Sequence, residues 1–356
     1  LISILFIGSG ARCEMSFKVY QDKLDIFSDY EFVLIVKRQP LSYEVKIFNE
    51  KIEKLEEKWN IRSPLFHVDY GISKLFKFKL TPPTLWAYEA KEFGIVVYGE
   101  NVKKYLPEVT IDNLDYGNLN ELIIVRLWNM LLHVNNGFIK GTNNEYENFI
   151  IKFYYSRNVL DILTILLPNY GILKGGYSSR LNYFVNKFDN RKWKKYESDF
   201  KQITDFKIKL HDKVELEEVQ EIFYKGFLEL ALDISNIGAI DSLESLENYD
   251  NNKLIKKIFK EKLIRSLRRK YIDLKMVNYY YKFSNKSLLF IFFNNTKVTL
   301  LLTLFYIHKS IKLPLATHIS IENLKHAMFL FNKISSSDVY VYDDKKEFSD
   351  NFINFR

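Results

Sequence analysis

Phe6-Ile7-Gly8-Ser9-Gly10-Ala11-Arg12 and, after a polar interval, Ser28-Asp29-Tyr30-Glu31-Phe32-Val33-Leu34-Ile35-Val36 decide how this chain is read. The first stretch is the end of an apolar strand running into a turn of small residues able to receive phosphate. The second is a strand that opens on two acids. Successive side chains on a strand point to opposite faces, so Asp29 and Glu31 share one face, about 7 Å apart along the chain. Two carboxylates on one face can grip a divalent metal ion. Val33 and Ile35 continue that face, and Phe32, Leu34 and Val36 fill the other. This is the pattern of a strand covered on both sides, with the acids at its rim.

Around these stretches, residues 1–8 read as the first strand, whereas residues 12–28 are polar and mixed with no clear period. From Tyr43 to Trp59 the apolar positions Val45, Phe48, Ile52, Leu55 and Trp59 recur every three or four residues, which predicts an amphipathic helix with a charged outer face. A second strand, Leu65 to Tyr70, follows Pro64 and is closed by Gly71; it carries Asp69. Pro82-Pro83 breaks the chain, Thr84 to Glu92 reads as a short helix, and Gly94-Ile95-Val96-Val97-Tyr98-Gly99 as a short strand between glycines. The character then changes to helices at about 118–136, 144–167, 178–190, 213–234, 252–275, 279–309 and 321–334. The expected organisation is an α+β domain over 1–110, an all-α domain over 111–335 and a polar, aromatic tail over 336–356. Asn143 or Asn144 caps the helix from 144, Glu145 and Glu147 stand in its first turn, and Pro168 lies just past its end.

A chain of 356 residues has room for two domains, and 47% hydrophobic with 27% charged residues is a globular composition. The net charge of +8 favours anionic partners, yet Lys, Ile and Asn abound throughout, as an A/T-rich genome alone produces. A single cysteine, Cys13, excludes an internal disulfide framework and zinc sites built on cysteine clusters, and is compatible with the cytoplasm. The Leu1–Ile7 run lacks the basic segment of a secretory signal. A chain that opens on Leu1 rather than methionine reads as a fragment, or as one begun from an unusual codon. The apolar segment Leu288 to Tyr306 is broken by Asn294-Asn295-Thr296-Lys297 and reads as a buried helix rather than a membrane span.

Gly8-Ser9, then a strand bearing Asp29-x-Glu31, then a further strand bearing Asp69, resembles the DNA polymerase β-like nucleotidyltransferase superfamily. The resemblance implies a mixed sheet with helices followed by an all-α domain of the small-molecule, antibiotic-type enzymes. It also implies two Mg2+ ions held by Asp29, Glu31 and Asp69, with Gly8 and Ser9 meeting the phosphates of ATP or another nucleoside triphosphate. Asp69 then also helps deprotonate the attacking hydroxyl. Arg12 and Glu14 match the basic and acidic positions of the family's frequent Gly-Ser-x-Ala-Arg-Gly-Glu sequence, whereas Cys13 stands where that sequence has glycine. In the helical half, Phe153-Tyr154-Tyr155-Ser156-Arg157 resembles the helix that brings a basic residue to the triphosphate, with Arg157 at the matching position and Lys152 nearby. The implied reaction moves a nucleoside monophosphate, AMP from ATP, onto a hydroxyl of a small molecule.

Each residue also has a plainer reading. Gly8-Ser9 is an ordinary strand-ending turn, Asp29, Glu31 and Asp69 are strand-end acids, and Arg157 pairs with Asp161 four residues on. His67 and His133, among apolar neighbours and without partners at metal-ligand spacing, read as structural. The basic run from Lys253 to Lys270, which includes Arg268 and Arg269, is a solvated helix face or, alternatively, a docking face for nucleic acid. Transfer to RNA or protein is therefore the rival within the fold. A noncatalytic, antitoxin-like binding protein is the rival outside it. No membrane partner is expected.

Overall fold

The computed structural model describes the whole chain except residues 21–22, 59–66, 211–213, 238–242, 249–252, 254–256, 259–295, 312–319, 335–345 and 356. Most of the basic run at 253–270 and the polar interval 294–295 lie outside the described residues.

Strand β1 (Ser3–Ile7) buries Ser3, Leu5 and Ile7 on one face and leaves Ile4 and Phe6 half-covered on the other. The turn that follows closes into a single helical turn, α1 (Gly8–Ala11). The interval read from sequence as aperiodic holds a hairpin, β2 (Phe17–Tyr20) and β3 (Lys23–Ile26), paired from Phe17↔Ile26 to Tyr20↔Lys23. Each strand has four residues, too few for an alternation to stand out. Strand β4 (Tyr30–Val36) then pairs antiparallel with β1, and helix α2 (Ser42–Lys58) crosses to β5 (Val68–Lys74), which runs parallel to β4. Helices α3 (Leu75–Lys79) and α4 (Leu85–Glu92) lead to β6 (Ile95–Gly99), antiparallel to β1. The result is a four-stranded mixed sheet in the order β5-β4-β1-β6.

One face of this sheet carries the core. Leu5, Ile7, Val33 and Ile35 pack with Phe78 of α3, Ala90 of α4, and Val102 and Leu106 from the 3-10 turn Val102–Tyr105 and the residue after it. On the other face the Phe6 and Phe32 rings lie 5.2 Å apart, and Phe48 of α2 meets Tyr70 edge-on at 4.9 Å. The stripe expected on α2 is only partly covered: Val45, Phe48 and Ile52 are half-buried and Leu55 is exposed. The one buried side chain of α2 is Glu56, whose carboxylate accepts the Val68 N–H at 2.7 Å and so fixes the start of β5.

The chain continues into α5 (Tyr116–His133), α6 (Asn136–Lys140) and α7 (Glu145–Asn169), returns for α8 (Tyr177–Lys187), α9 (Arg191–Lys194) and α10 (Glu197–Lys209), and then leaves for α11 (Leu216–Ile234), α12 (Leu243–Glu247), α13 (Thr296–Ser310), α14 (Ile321–Ile334) and α15 (Phe348–Phe355). Two compact units result, one of Leu1–Asp115 with Tyr170–Val214, the other of Tyr116–Asn169 with Glu215–Arg356. The first is thus an α+β unit whose helices α8–α10 come from far along the sequence. Their core is aromatic, with Phe184, Trp193 and Phe200 fully buried and Phe184 edge-on to Phe200 at 5.3 Å. Helix α10 falls in a stretch where the sequence suggested no element.

The second unit is all helical among the described residues apart from its turns. Asn144 and Glu147 cap α7 reciprocally, each side chain accepting the other's backbone N–H at 2.9 Å. Pro168 lies inside the last turn of α7 rather than beyond it. Among the described residues, no helix is long and apolar enough to cross a membrane.

His308 of α13 is fully buried in this unit, with its Nε2 2.9 Å from the Leu127 carbonyl of α5, so that nitrogen carries the hydrogen. Burial pushes its pKa down to about 4, overcoming the smaller opposite effect of the bond to Leu127. From pH 6.5 down to about 4, the unfolded chain takes up a proton that the folded chain refuses, so stability falls as the pH falls. The loss is about 1.4 kcal/mol for each pH unit in that window. His308→Gln keeps a side-chain N–H for Leu127 and has nothing to titrate. Urea unfolding followed at pH 7 and pH 5 is expected to show a smaller drop for that variant than for the wild type; equal drops would remove His308 as the source.

Candidate functional site

The pairing of β1, β4 and β5 sets Ile7 opposite Glu31 and Glu31 opposite Asp69. Neighbouring strands are about 4.8 Å apart, so one level of the sheet collects the end of β1, the Glu31 side chain and the Asp69 side chain. Glu31 lies on the same face as Val33 and Ile35, one step beyond the covered core. Immediately after Ile7, Gly8 turns with φ +72, and a Cβ built on it would lie 2.6 Å from the Glu31 carboxylate. A side chain there would strain the backbone and push the Glu31 carboxylate aside, and the glycine lets the backbone pass directly under the acid. Glu31 and Asp69 line a pocket of about 370 Å3 whose floor includes Ile7 and Val33 and whose wall includes Phe78 and Trp86.

Asp29 stands just before β4. Its Oδ1 is 2.9 Å from Nδ1 of His67, and the Tyr30 N–H donates to the His67 carbonyl at 2.9 Å. His67, read from sequence as a structural residue, therefore meets one of the two acids of the strand. Asp29 spends one carboxylate oxygen on that partner. Among the described residues, no three or more His, Cys, Asp or Glu side chains are gathered closely enough to hold a metal ion. The donor set of Asp29, Glu31 and Asp69 is all oxygen, the chemistry that Mg2+ accepts, and Glu31 with Asp69 is the pair that opens onto one pocket.

The loop after Gly8 is held by its own backbone, with Arg12 N–H donating to Gly8, Cys13 N–H to Gly10, and Glu14 N–H to Ser9 at 2.8 Å. Ser9 thus sits in the tightest part of the turn. Cys13, at the position where the resembled sequence has glycine, is exposed and adopts φ +57. A left-handed backbone costs an ordinary residue about 1 kcal/mol. Cys13→Gly is accordingly expected to stabilise the protein by about 0.5–1 kcal/mol in chemical denaturation, and a destabilised variant would contradict that account of the loop.

Arg12 points into the unit. Its guanidinium meets Glu14 at 3.1 Å and Glu89 of α4 at 2.8 Å. Glu89 also pairs with Arg180 of α8. The Glu14 carboxylate accepts the N–H groups of Tyr177 (2.9 Å) and Ser178 (2.7 Å) at the start of α8, where Gly176, at φ +78, admits it. The buried Lys207 of α10 donates to the Glu14 carbonyl at 2.6 Å. Burial works against the charge on Arg12, but Glu89, then Tyr177 and Glu14, outweigh it and hold the guanidinium above its ordinary value. Burial opposes the Glu14 charge as well, yet the amides of Ser178 and Tyr177, followed by Arg12, keep that carboxyl below its ordinary value. Arg12 and Glu14 thereby tie the loop to α4, α8 and α10.

Arg157 belongs to the second unit, on α7. Asp161, its expected partner, is engaged by Arg126 of α5 at 2.6 Å and by Thr164 at 3.0 Å. Glu89, Arg180 and Lys207 were invisible to sequence reading because each is a single charged residue on an amphipathic helix, with no motif around it. No family model matches the chain, and no curated protein matches it.

Proposed function

We propose that the α+β unit is a metal-dependent nucleotidyltransferase with a fold of the polymerase β-like kind, moving a nucleoside monophosphate from ATP or another nucleoside triphosphate onto the hydroxyl of a small molecule. The observation that carries this reading is the level shared by Gly8, Glu31 and Asp69, with the backbone of Gly8 pressed against the Glu31 carboxylate. A turn that donates backbone amides beside carboxylates on adjacent strands is what phosphate and divalent cation require together.

In this reading Ser9 and the amides of the turn bind the terminal phosphates, Glu31 and Asp69 would hold Mg2+ at the pocket, and Asp29 is assigned to the two-ion site by the resemblance. Bound there, the ions neutralise charge on the phosphates. Asp69 accepts the proton of the acceptor hydroxyl. The oxygen of that hydroxyl bonds to the α-phosphorus, the bond from that phosphorus to the bridging oxygen breaks, and pyrophosphate leaves with its electron pair. Arg157 is assigned to the triphosphate by the resemblance alone.

Calorimetric titration with each of the four common nucleoside triphosphates, with and without Mg2+, tests the reading. The wild type is expected to bind at least one of them in an Mg2+-dependent manner and Asp29→Ala to lose that dependence. Equal binding by both proteins would sink the proposal.

A further inference from the structure

The pocket beside Glu31 and Asp69 has a wall that phosphate binding leaves unused. Trp86 opens onto it with 41% of its surface exposed, while its neighbours on α4, Leu85, Ala87 and Ala90, are buried. The indole is braced from behind by Phe78, which is 2% exposed and meets it edge-on at 6.5 Å. Apart from Glu31 and Asp69, the described residues lining the pocket carry no charged side chain. Among them there is no lysine or arginine for a triphosphate, and no further carboxylate for a polycation. Thr81, also in the lining, donates its hydroxyl hydrogen to the Phe78 carbonyl at 2.6 Å, which leaves the oxygen free to accept.

We propose that this pocket receives the acceptor, and that the acceptor is an uncharged, hydroxyl-bearing ring compound that packs on Trp86 with one hydroxyl toward Asp69. The proposal rests on the nucleotidyl-transfer reading and adds to it the acceptor's chemical class and a specificity-determining residue. A large, rigid aromatic surface held against a buried ring gains contact area at little entropic cost. An apolar floor with a few placed polar groups is the usual composition of a small-molecule site, and about 370 Å3 is within the usual range of volumes. The acids at the rim then face the reacting hydroxyl, and the indole holds the rest of the molecule.

The test is calorimetry on the full chain in EDTA without nucleotide, using phenyl β-D-glucoside as the neutral probe and an aminoglycoside as the polycationic one. The wild type is expected to bind the glucoside saturably, Trp86→Ala to weaken it about tenfold or more, and Trp86→Tyr to retain most of the affinity. Circular dichroism melts establish that both variants fold. With EDTA present and nucleotide absent, this result stands apart from the Mg2+-dependent nucleotide titration. No binding of the glucoside, equal binding by the wild type and Trp86→Ala, or binding of the aminoglycoside alone would each overturn the proposal.

Discussion

Replacing Arg180 by methionine is expected to destabilise the α+β unit by about 1–3 kcal/mol. Arg180 is 3% exposed and its guanidinium pairs with Glu89, which also serves Arg12. Methionine fills much of the space but leaves the half-buried Glu89 with Arg12 as its remaining ion-pair partner, and a charge partly withdrawn from water that loses a partner is costly. Removing both members of the pair separates that penalty from lost packing. Arg180→Met combined with Glu89→Leu is expected to be less destabilised than the sum of the two single changes, as a double-mutant cycle of urea-unfolding free energies will show. Additive effects would mean that the two residues act independently. The same network has a pH signature. The Glu14 carboxyl is held below its ordinary value of 4.5, so its contribution is fully present above that pH and is lost as the pH falls through the folded-state value.

Under the proposed nucleotidyl transfer, Glu31→Gln is expected to reduce Mg2+-dependent pyrophosphate release by about a thousandfold while leaving the melting temperature nearly unchanged. Glutamine has the same shape and occupies the same space above Gly8, so packing there is preserved. What disappears is the negative charge at the level where β1, β4 and β5 coincide. A Glu31→Gln protein that releases pyrophosphate at the wild-type rate would remove the acid strand from the chemistry altogether.

Much of the sheet was legible, but not the span of β5: Gly71, expected to close a strand from Leu65, pairs with Val33 in mid-strand, the strand runs on to Lys74, and residues 65–66 lie outside the described residues. Val33 and Ile35 on one face, with Phe32 and Leu34 on the other, predicted β4 and its coverage, and the core on the first face is where that pattern put it. The level shared by Glu31 and Asp69 was not legible, since strand register is fixed by pairing rather than by local pattern. The hairpin at 17–26 was too short to show a period, whereas α10 carries a legible apolar repeat, Tyr196, Phe200, Ile203, Phe206 and Leu210 at intervals of three or four. Asp161 was expected beside Arg157 from helical spacing; the contact that spacing could not show is the one from Arg126 of another helix. Long-range ion pairs such as Glu89 with Arg180 leave no trace in either neighbourhood, because each residue alone is what any exposed helix face would carry.

Glu14 and the start of α8 are joined across 163 and 164 positions of chain. On a ribosome, the strands at the beginning of the protein are made long before the helix that anchors the loop between them. A nascent chain that ends near residue 115 holds Arg12, Glu14 and Glu89 but not Tyr177, Ser178, Arg180 or Lys207. The turn beside Glu31 therefore gains its anchors from Tyr177, Ser178 and Lys207 only once the returning segment has been made.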